Sequence, residues 1–400
     1  MAQALLTILV CLVIAYFFGE LLHKLKIPRV VGQVGAGLFL SIGVVKEVLF
    51  TDESLKTLSF LAHLGIILLF YYVGLEVNFK TVLKTARNSI TISLFNTILP
   101  LLLGFGLSYF ILKLGLIPSL VIGMTLPTAA LSISINQLEE LRMLKTKIGT
   151  LLLSVGMFND VLQIIIIAVI FSLIQVGTSQ SGLLTLFLDM LIFILVVVAA
   201  RLWFIPSILA FFDKEHSSTA RFTASMIIVL LVASLSEVLG LGLIIGALIA
   251  GVIVRQTIFK DHLLSSWQEH DIARSVHILA FGFLIPLFFL WTGLSVDFSL
   301  VFKETGLILF LAFLSIFGNV AGVMIPMLFT KGSWQEGLLL GIGLSPKGDV
   351  ELAVAALALE AALISQSLFA VLVMMSVLTT IISPILFRVL AKRYHKLWKN

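Results

Sequence analysis

The sequence predicts an all-α polytopic membrane protein of about thirteen transmembrane helices, folded as an inverted-topology repeat in which two interrupted helices cross. Three observations carry this expectation. Of 400 residues, 60% are hydrophobic and 12% charged, the mean hydropathy is +1.17, and apolar runs long enough to span a bilayer recur from end to end. When the chain is slid against itself by 219 residues, FYYVGLEVNF (70–79) falls on FLWTGLSVDF (289–298), and a shift of 214 lays GQVGAG (32–37) on GALIAG (246–251). At the offset of 219, Pro127 falls on Pro346, so each half holds one apolar segment broken by proline at the matched place.

In chain order the spans are expected near 4–22, 28–46, 57–77, 86–112, 116–137, 147–176, 182–212, 219–239, 241–258, 273–294, 303–330, 335–360 and 364–391. The first has neither a basic lead nor a small-residue cleavage pattern, so it reads as a retained span and not a signal peptide. Cys11 within it stands alone, which excludes an internal disulfide or a Cys-based metal cluster. Odd-numbered loops and the C-terminal tail together hold 20 Lys/Arg, whereas even-numbered loops hold four, Lys46, Lys56, Lys113 and Lys303. That asymmetry predicts an N-terminus outside and a C-terminus in the cytoplasm of a prokaryotic-type inner or plasma membrane. It also explains the net charge of +5 without nucleic acid, because the basic residues are spread among loops. Sliding by one repeat carries the first span onto the eighth, and an odd displacement of seven inverts the second half relative to the first. Arg201, mid-way along the seventh span, is expected to snorkel or to pair with Asp189.

The chemistry concentrates between 125 and 168. Gly156, Asn159, Asp160 and Gln163 recur at i, i+3, i+4 and i+7, one polar face on an otherwise apolar helix. An ionisable group at membrane depth costs ~2.5–3.5 kcal/mol on insertion scales, so it persists where it faces a cavity or pathway. The alternative is a carboxyl satisfied by a neighbouring polar group. The interruptions at Pro127 and Pro346 free backbone carbonyls, and crossing them near the midplane gathers partial charges suited to a small ion. Asp160 facing that crossing can hold a proton or an alkali cation but not both, with Thr128, Ser132 and Asn159 as further oxygen ligands. Lys347 with Asp349 and Glu351 places mixed charge in the second interruption, where an ion-pair network that sets the local field fits better than direct ligation. No bound cofactor is expected; the metal at Asp160 would be the transported ion alone.

With these residues on the page, the chain resembles the monovalent cation:proton antiporter superfamily, in particular Kef-type and NapA-like Na+/H+ and K+/H+ exchangers. The likeness runs over nearly the whole chain: IPRVVGQVGAGLFLS, LGIILLFYYVGLEV with Glu76, FNDVLQIII, LSEVLGLGLIIGALIAGVIV, IPLFFLWTGLSVDF and GIGLSPKGDVELAVAALAL. It implies an NhaA-like antiporter fold, not an enzyme, in which core helices move elevator-fashion against dimerisation helices. Carried onto this sequence, residues 1–77 and 219–294 are scaffold, 86–176 and 303–391 core, 182–212 a linker and 392–400 a basic tail. Asp160 then carries the ion and Thr128 sits in the first broken helix, with Glu76, Gln163 and Asn319 at accessory positions. A homodimer in lipid is expected, with any regulatory or nucleotide-binding part on a separate cytosolic chain.

Three departures bear on mechanism. Asn159 stands where many electrogenic members carry a second aspartate, Asn319 where many carry lysine or arginine, and Lys347 and Asp349 replace the usual arginine and glutamate. Losing a carboxylate together with a cation keeps the charge balance and favours electroneutral exchange. Two other readings stay open: a cation channel or ion-sensing subunit on the same fold, and an intramembrane aspartyl protease using Asp160 with Asp349. Against the protease, this sequence has no tyrosine before Asp160, and Lys347 two residues from Asp349 suits an ion pair better.

Overall fold

A computed structural model describes residues 2–25, 27–76, 87–178, 218–239, 242–258, 271–329 and 332–394. Among these residues every regular element is a helix. Among the described residues seven helices are long and apolar enough to cross a membrane: Gln3–Lys24, Asp52–Glu76, Asn88–Ile111, Lys147–Ile167, Ala273–Leu294, Thr305–Met327 and Gln366–Arg393. Shorter apolar helices cover Arg29–Leu40, Leu116–Thr125, Phe222–Val238 and Leu243–Gln256. The expected span at 182–212, with Arg201 and Asp189, and residues 395–400 of the tail lie outside the described residues.

The chain divides into two compact units. The first comprises Met1–Thr51, Phe79–Ile167 and Phe289–Asn400. It holds α1 (Ala2–Lys24), α2 (Arg29–Leu40) and α3 (Gly43–Leu49), and then α5 (Arg87–Gly106), α6 (Leu116–Thr125) and α7 (Leu131–Glu140). Most of α8 (Lys147–Thr178) and the end of α12 (Ile285–Leu294) belong to it as well. It is completed by α13 (Phe298–Lys303), α14 (Thr305–Met327), α15 (Trp334–Gly343), α16 (Asp349–Glu360) and α17 (Gln366–Arg393). The second unit holds α4 (Asp52–Glu76), α9 (Ser218–Val238), α10 (Leu243–Ile258) and α11 (Asp271–Leu279).

Local chemistry sets the helix ends. The second expected span, 28–46, stops as a helix at Leu40, where the Ser41 hydroxyl donates to the Leu38 carbonyl at 2.8 Å and Ile42 turns extended. The helix resumes at Gly43 as α3. At α15 the Ser333 hydroxyl accepts from the Glu336 amide at 3.2 Å, and the Glu336 carboxylate accepts from the Ser333 amide at 3.0 Å, a reciprocal cap. Ser365 caps α17 one way only, its hydroxyl accepting from the Leu368 amide at 3.2 Å.

In lipid the tails are as apolar as leucine, so helices hold together by close packing and not by escape from water. In the first unit α2 meets α12 at Gly37 and Gly293: a methyl at Gly37 would lie 2.0 Å from the Leu290 carbonyl oxygen, and one at Gly293 2.1 Å from that of Val34. In the second unit α4 meets α10 in the same way, a methyl at Gly74 or Gly251 lying 2.2 Å from the carbonyl oxygens of Leu248 and Tyr71 respectively. Gly318 and Gly322, four residues apart, press α14 onto α5, where added methyls would meet Pro100 at 3.1 Å and the Asn96 Cα at 2.8 Å. Beside this seam lies an apolar core of Ile92, Leu138, Leu152, Val323, Leu340 and Phe387, drawn from six helices of one unit.

Candidate functional site

The site is built on two interruptions. α6 gives way after Thr125 and α7 resumes at Leu131; α15 ends at Gly343 and α16 starts at Asp349. Pro127 and Pro346 lie buried in the gaps, each lacking the amide a continuous helix would use. The gaps touch backbone to backbone, the Ala130 amide donating to the Pro346 carbonyl at 2.8 Å. A methyl at Gly348 would stand 2.8 Å from the Ala130 Cβ, so the second gap needs glycine at this approach.

The carbonyls set free by the first interruption are almost all taken up by side chains. Lys347, fully buried at 0% exposure, extends its ammonium from the second gap to the first and donates to the carbonyls of Leu126 and Thr128, the latter at 2.5 Å. These oxygens form the negative end of α6, where a cation is favoured. Ser315 and Asn319 of α14 donate to the same Leu126 carbonyl at 3.3 and 3.4 Å. Asn319 also donates to the Ser315 carbonyl at 3.0 Å and accepts from the Asn96 amide at 3.2 Å. Gln163 reaches the Met124 carbonyl at 2.6 Å, and Asn159 the Pro127 carbonyl at 3.3 Å.

Around Lys347 a second layer closes. The Thr380 hydroxyl donates to the Lys347 carbonyl at 2.7 Å, and the Ser376 hydroxyl to the Glu351 carboxylate at 2.7 Å. Glu351 is buried in the first turn of α16, four residues after Lys347 in the gap, and the two opposite charges attract. Asp349 is half-buried in the first turn of α16, where the helix dipole favours an anion.

α8 brings the acid to this crossing. A methyl at Gly156 would lie 2.6 Å from Leu131 and 3.5 Å from Leu344, residues that flank the first and second interruptions, so the missing side chain lets α8 lie against both. One turn on, buried Asn159 accepts a hydrogen bond from the Thr97 hydroxyl of α5 while donating to Pro127. Half-buried Asp160 follows it.

The expected residues divide accordingly. Asn159, Thr128, Gln163, Asn319, Lys347, Asp349 and Glu351 all belong to the first unit and lie in or against the two gaps, and Asp160 follows Asn159 on α8 in the same unit. Thr128 turns its hydroxyl to the Thr125 carbonyl at 2.8 Å, which leaves the oxygen lone pairs open to a ligand. Ser132 is on an exposed face of α7, whereas Ser134 is buried and donates to the Gly343 carbonyl at 2.6 Å. Glu76 is exposed at the end of α4 in the second unit, beside Arg255, whose guanidinium donates to the Leu75 carbonyl. Sequence reasoning passed over Asn96, Thr97, Ser315, Ser376 and Thr380. The signal for two of them was present, since Ser376, Thr379, Thr380 and Ser383 recur at i, i+3, i+4 and i+7 within an apolar helix.

The two interruptions thus gather an ammonium, amides and hydroxyls on freed carbonyls, and α8 carries Asp160 next to Asn159, which donates to one of them. Known proteins resemble this chain over nearly its whole length. The chain is 26% identical over 366 residues to the Na(+)/H(+)-K(+) antiporter GerN of Bacillus cereus, covering 92% of this chain and 90% of that one. It is 28% identical over 386 residues to the probable Na(+)/H(+) antiporter 3 of Methanocaldococcus jannaschii, with 95% and 94% covered. Its fold matches that of the sodium proton antiporter MjNhaP1 from Methanocaldococcus jannaschii with a TM-score of 0.67 at 17% identity, over 99% of this chain and 97% of that one. The transmembrane model of the sodium/hydrogen exchanger family matches residues 8–393, and the chain belongs to that family, within the monovalent cation:proton antiporters.

Proposed function

We propose that this protein exchanges a monovalent cation, Na+ or K+, for protons across the membrane, with Asp160 as the group that carries each in turn. The observation that bears most weight is the state of the first interruption. Its Leu126 and Thr128 carbonyls are claimed by Lys347, whose charge is in turn balanced by Glu351, and this reading therefore assigns the exchanged ion to the carboxylate of Asp160 on α8. A proton and a cation then compete for that single oxygen pair. A proton and an alkali cation neutralise it equally, so one-for-one occupancy makes the exchange electroneutral.

Alternating access in an elevator fashion, with the core helices of 86–176 and 303–391 moving and a homodimer as the frame, is the motion this reading adopts from the family. The inverted repeat has independent support. The offset of 219 carries Gly74 to Gly293 and that of 214 carries Gly37 to Gly251, so the two close contacts, 37 with 293 and 74 with 251, exchange under the repeat. The loop charges favour an outside N-terminus and a cytoplasmic C-terminus.

The test is ion flux in proteoliposomes. Na+, K+ and Li+ gradients applied across a pH series should each drive or fail to drive proton movement, unaffected by a clamped membrane potential if the exchange is electroneutral. Asp160→Asn is expected to abolish cation-dependent proton flux while leaving a folded protein. Undiminished exchange in that variant removes Asp160 from the mechanism, and conductance uncoupled from protons favours a channel.

A further inference from the structure

Within the first unit a cavity of about 310 Å3 opens where α5 and α8 begin and α14 ends. Its polar lining is Asn88, Ser89, Thr150 and Ser154, with Lys147 and Glu336 at the edge. The Lys147 ammonium sits 3.1 Å from the Glu336 carboxylate and is 76% exposed, which marks that pair as the outer rim. The two charges cancel, so the cavity has no net attraction for a metal ion.

The polar lining continues inward along one face of α5. Ser89, Ser93, Asn96 and Thr97 follow at i, i+4, i+7 and i+8, so they share a side of the helix. At about 1.5 Å per residue this face covers roughly 12 Å. Ser93 and Asn96 are both at 0% exposure, yet the Ser93 hydroxyl and the Asn96 side-chain carbonyl have no hydrogen-bond partner among the described residues. Buried polar atoms in that condition are commonly served by ordered water. Thr97 completes the series by donating to Asn159, the residue before Asp160. Polar atoms therefore recur at every turn between the cavity and the neighbour of the acid.

We propose that this cavity and the α5 polar face form a water-bearing proton entrance to Asp160 inside the first unit, with Lys147 and Glu336 at its mouth. The inference rests on the exchange reading above. Neutral hydroxyl and amide groups spaced a turn apart suit protons relayed through water, whereas a dehydrated alkali cation needs several oxygens at one place. The Asp160 carboxyl gives its proton to the water chain, which delivers a proton to bulk, and the carboxylate left behind accepts the cation arriving by its own route.

Cys11 is the sole cysteine, so Cys11→Ala provides a thiol-free background for Ser89→Cys and Ser93→Cys. In proteoliposomes both thiols should react with 2-aminoethyl methanethiosulfonate at least tenfold faster than Ala355→Cys, a buried apolar position on α16. The adduct at 93 should lower proton flux at least tenfold. A Ser93→Cys thiol no more reactive than Ala355→Cys, or one fully modified with undiminished flux, overturns the entrance. Hydroxyl-radical labelling of the native protein needs no substitution: Met327, which lines the cavity, should oxidise several-fold faster than Met143, buried outside it. Equal rates overturn the proposal. If Asp160→Asn still exchanges, the exchange reading fails, while thiol reactivity and radical labelling continue to report on the water path itself.

Discussion

Replacing Lys347 by methionine keeps an unbranched side chain one heavy atom shorter and removes its charge and its donors. The ammonium donates to the Leu126 and Thr128 carbonyls and attracts Glu351. Hydrogen bonds from a charged group contribute about 1.5–3 kcal/mol each. Against that stands the relief of not having to bury an ammonium, itself several kcal/mol. These two effects nearly offset each other, and what remains is the partner left behind: a buried carboxylate at Glu351 held by the Ser376 hydroxyl and a backbone amide but by no opposite charge. Removing one member of a buried pair costs about 3–5 kcal/mol for this reason. The variant should therefore unfold at clearly lower temperature in detergent, with a deficit that shrinks as pH falls and Glu351 becomes neutral. Lys347→Met combined with Glu351→Gln should recover much of the loss, because glutamine can still accept from Ser376 without a charge. Thermal unfolding followed by tryptophan fluorescence across pH measures all three. A single variant as stable as the parent at every pH, or a double variant no better than the single one, would refute the assigned role of Lys347.

Thr97→Val should leave the Asn159 oxygen without its donor and cost about 1–3 kcal/mol; a raised cation concentration for half-maximal exchange with little change in maximal rate would show that Asn159 steadies the site. Gly322→Ala forces a methyl to 2.8 Å from the α5 backbone and should destabilise the first unit by about 1–3 kcal/mol, checked by the same thermal assay. Asp297, exposed at the start of α13, has its carboxyl held below the usual range by the Ser299 hydroxyl and amide and by Lys46. Because its folded value is depressed, the cap is fully present above the ordinary carboxylate range and is lost as pH falls through the lower folded value. Asp297→Ala should speed hydrogen exchange of the Ser299 amide at neutral pH, and an unchanged rate would discount the cap.

Much of the site could be read from residue order because it depends on spacing. Asp160 with Asn159 and Gln163 form a face by helical period alone, and the two prolines mark where carbonyls come free. Partner choice was another matter. The head of Lys347 was expected to serve charges along its own segment, yet it reaches carbonyls 219 and 221 residues away, a consequence of how the gaps meet. Ser132 and Ser134 differ by about 200° around a helix, and the helical phase restarts after the break at Ala130, so residue order could not say which hydroxyl turns inward. The end of α2 at Leu40 hinges on one serine hydroxyl folding back onto a carbonyl, which a hydropathy window averages away.

The paired glycines carry a mechanical consequence. At Gly37 with Gly293, and again at Gly74 with Gly251, two helix backbones lie in contact with no side chain or lipid tail between them. Each contact welds a helix from the front of the chain to one from its rear. A cycle in which the front half swung as a block away from the rear half would have to prise both welds apart, so each couple keeps together whether it moves or stands still.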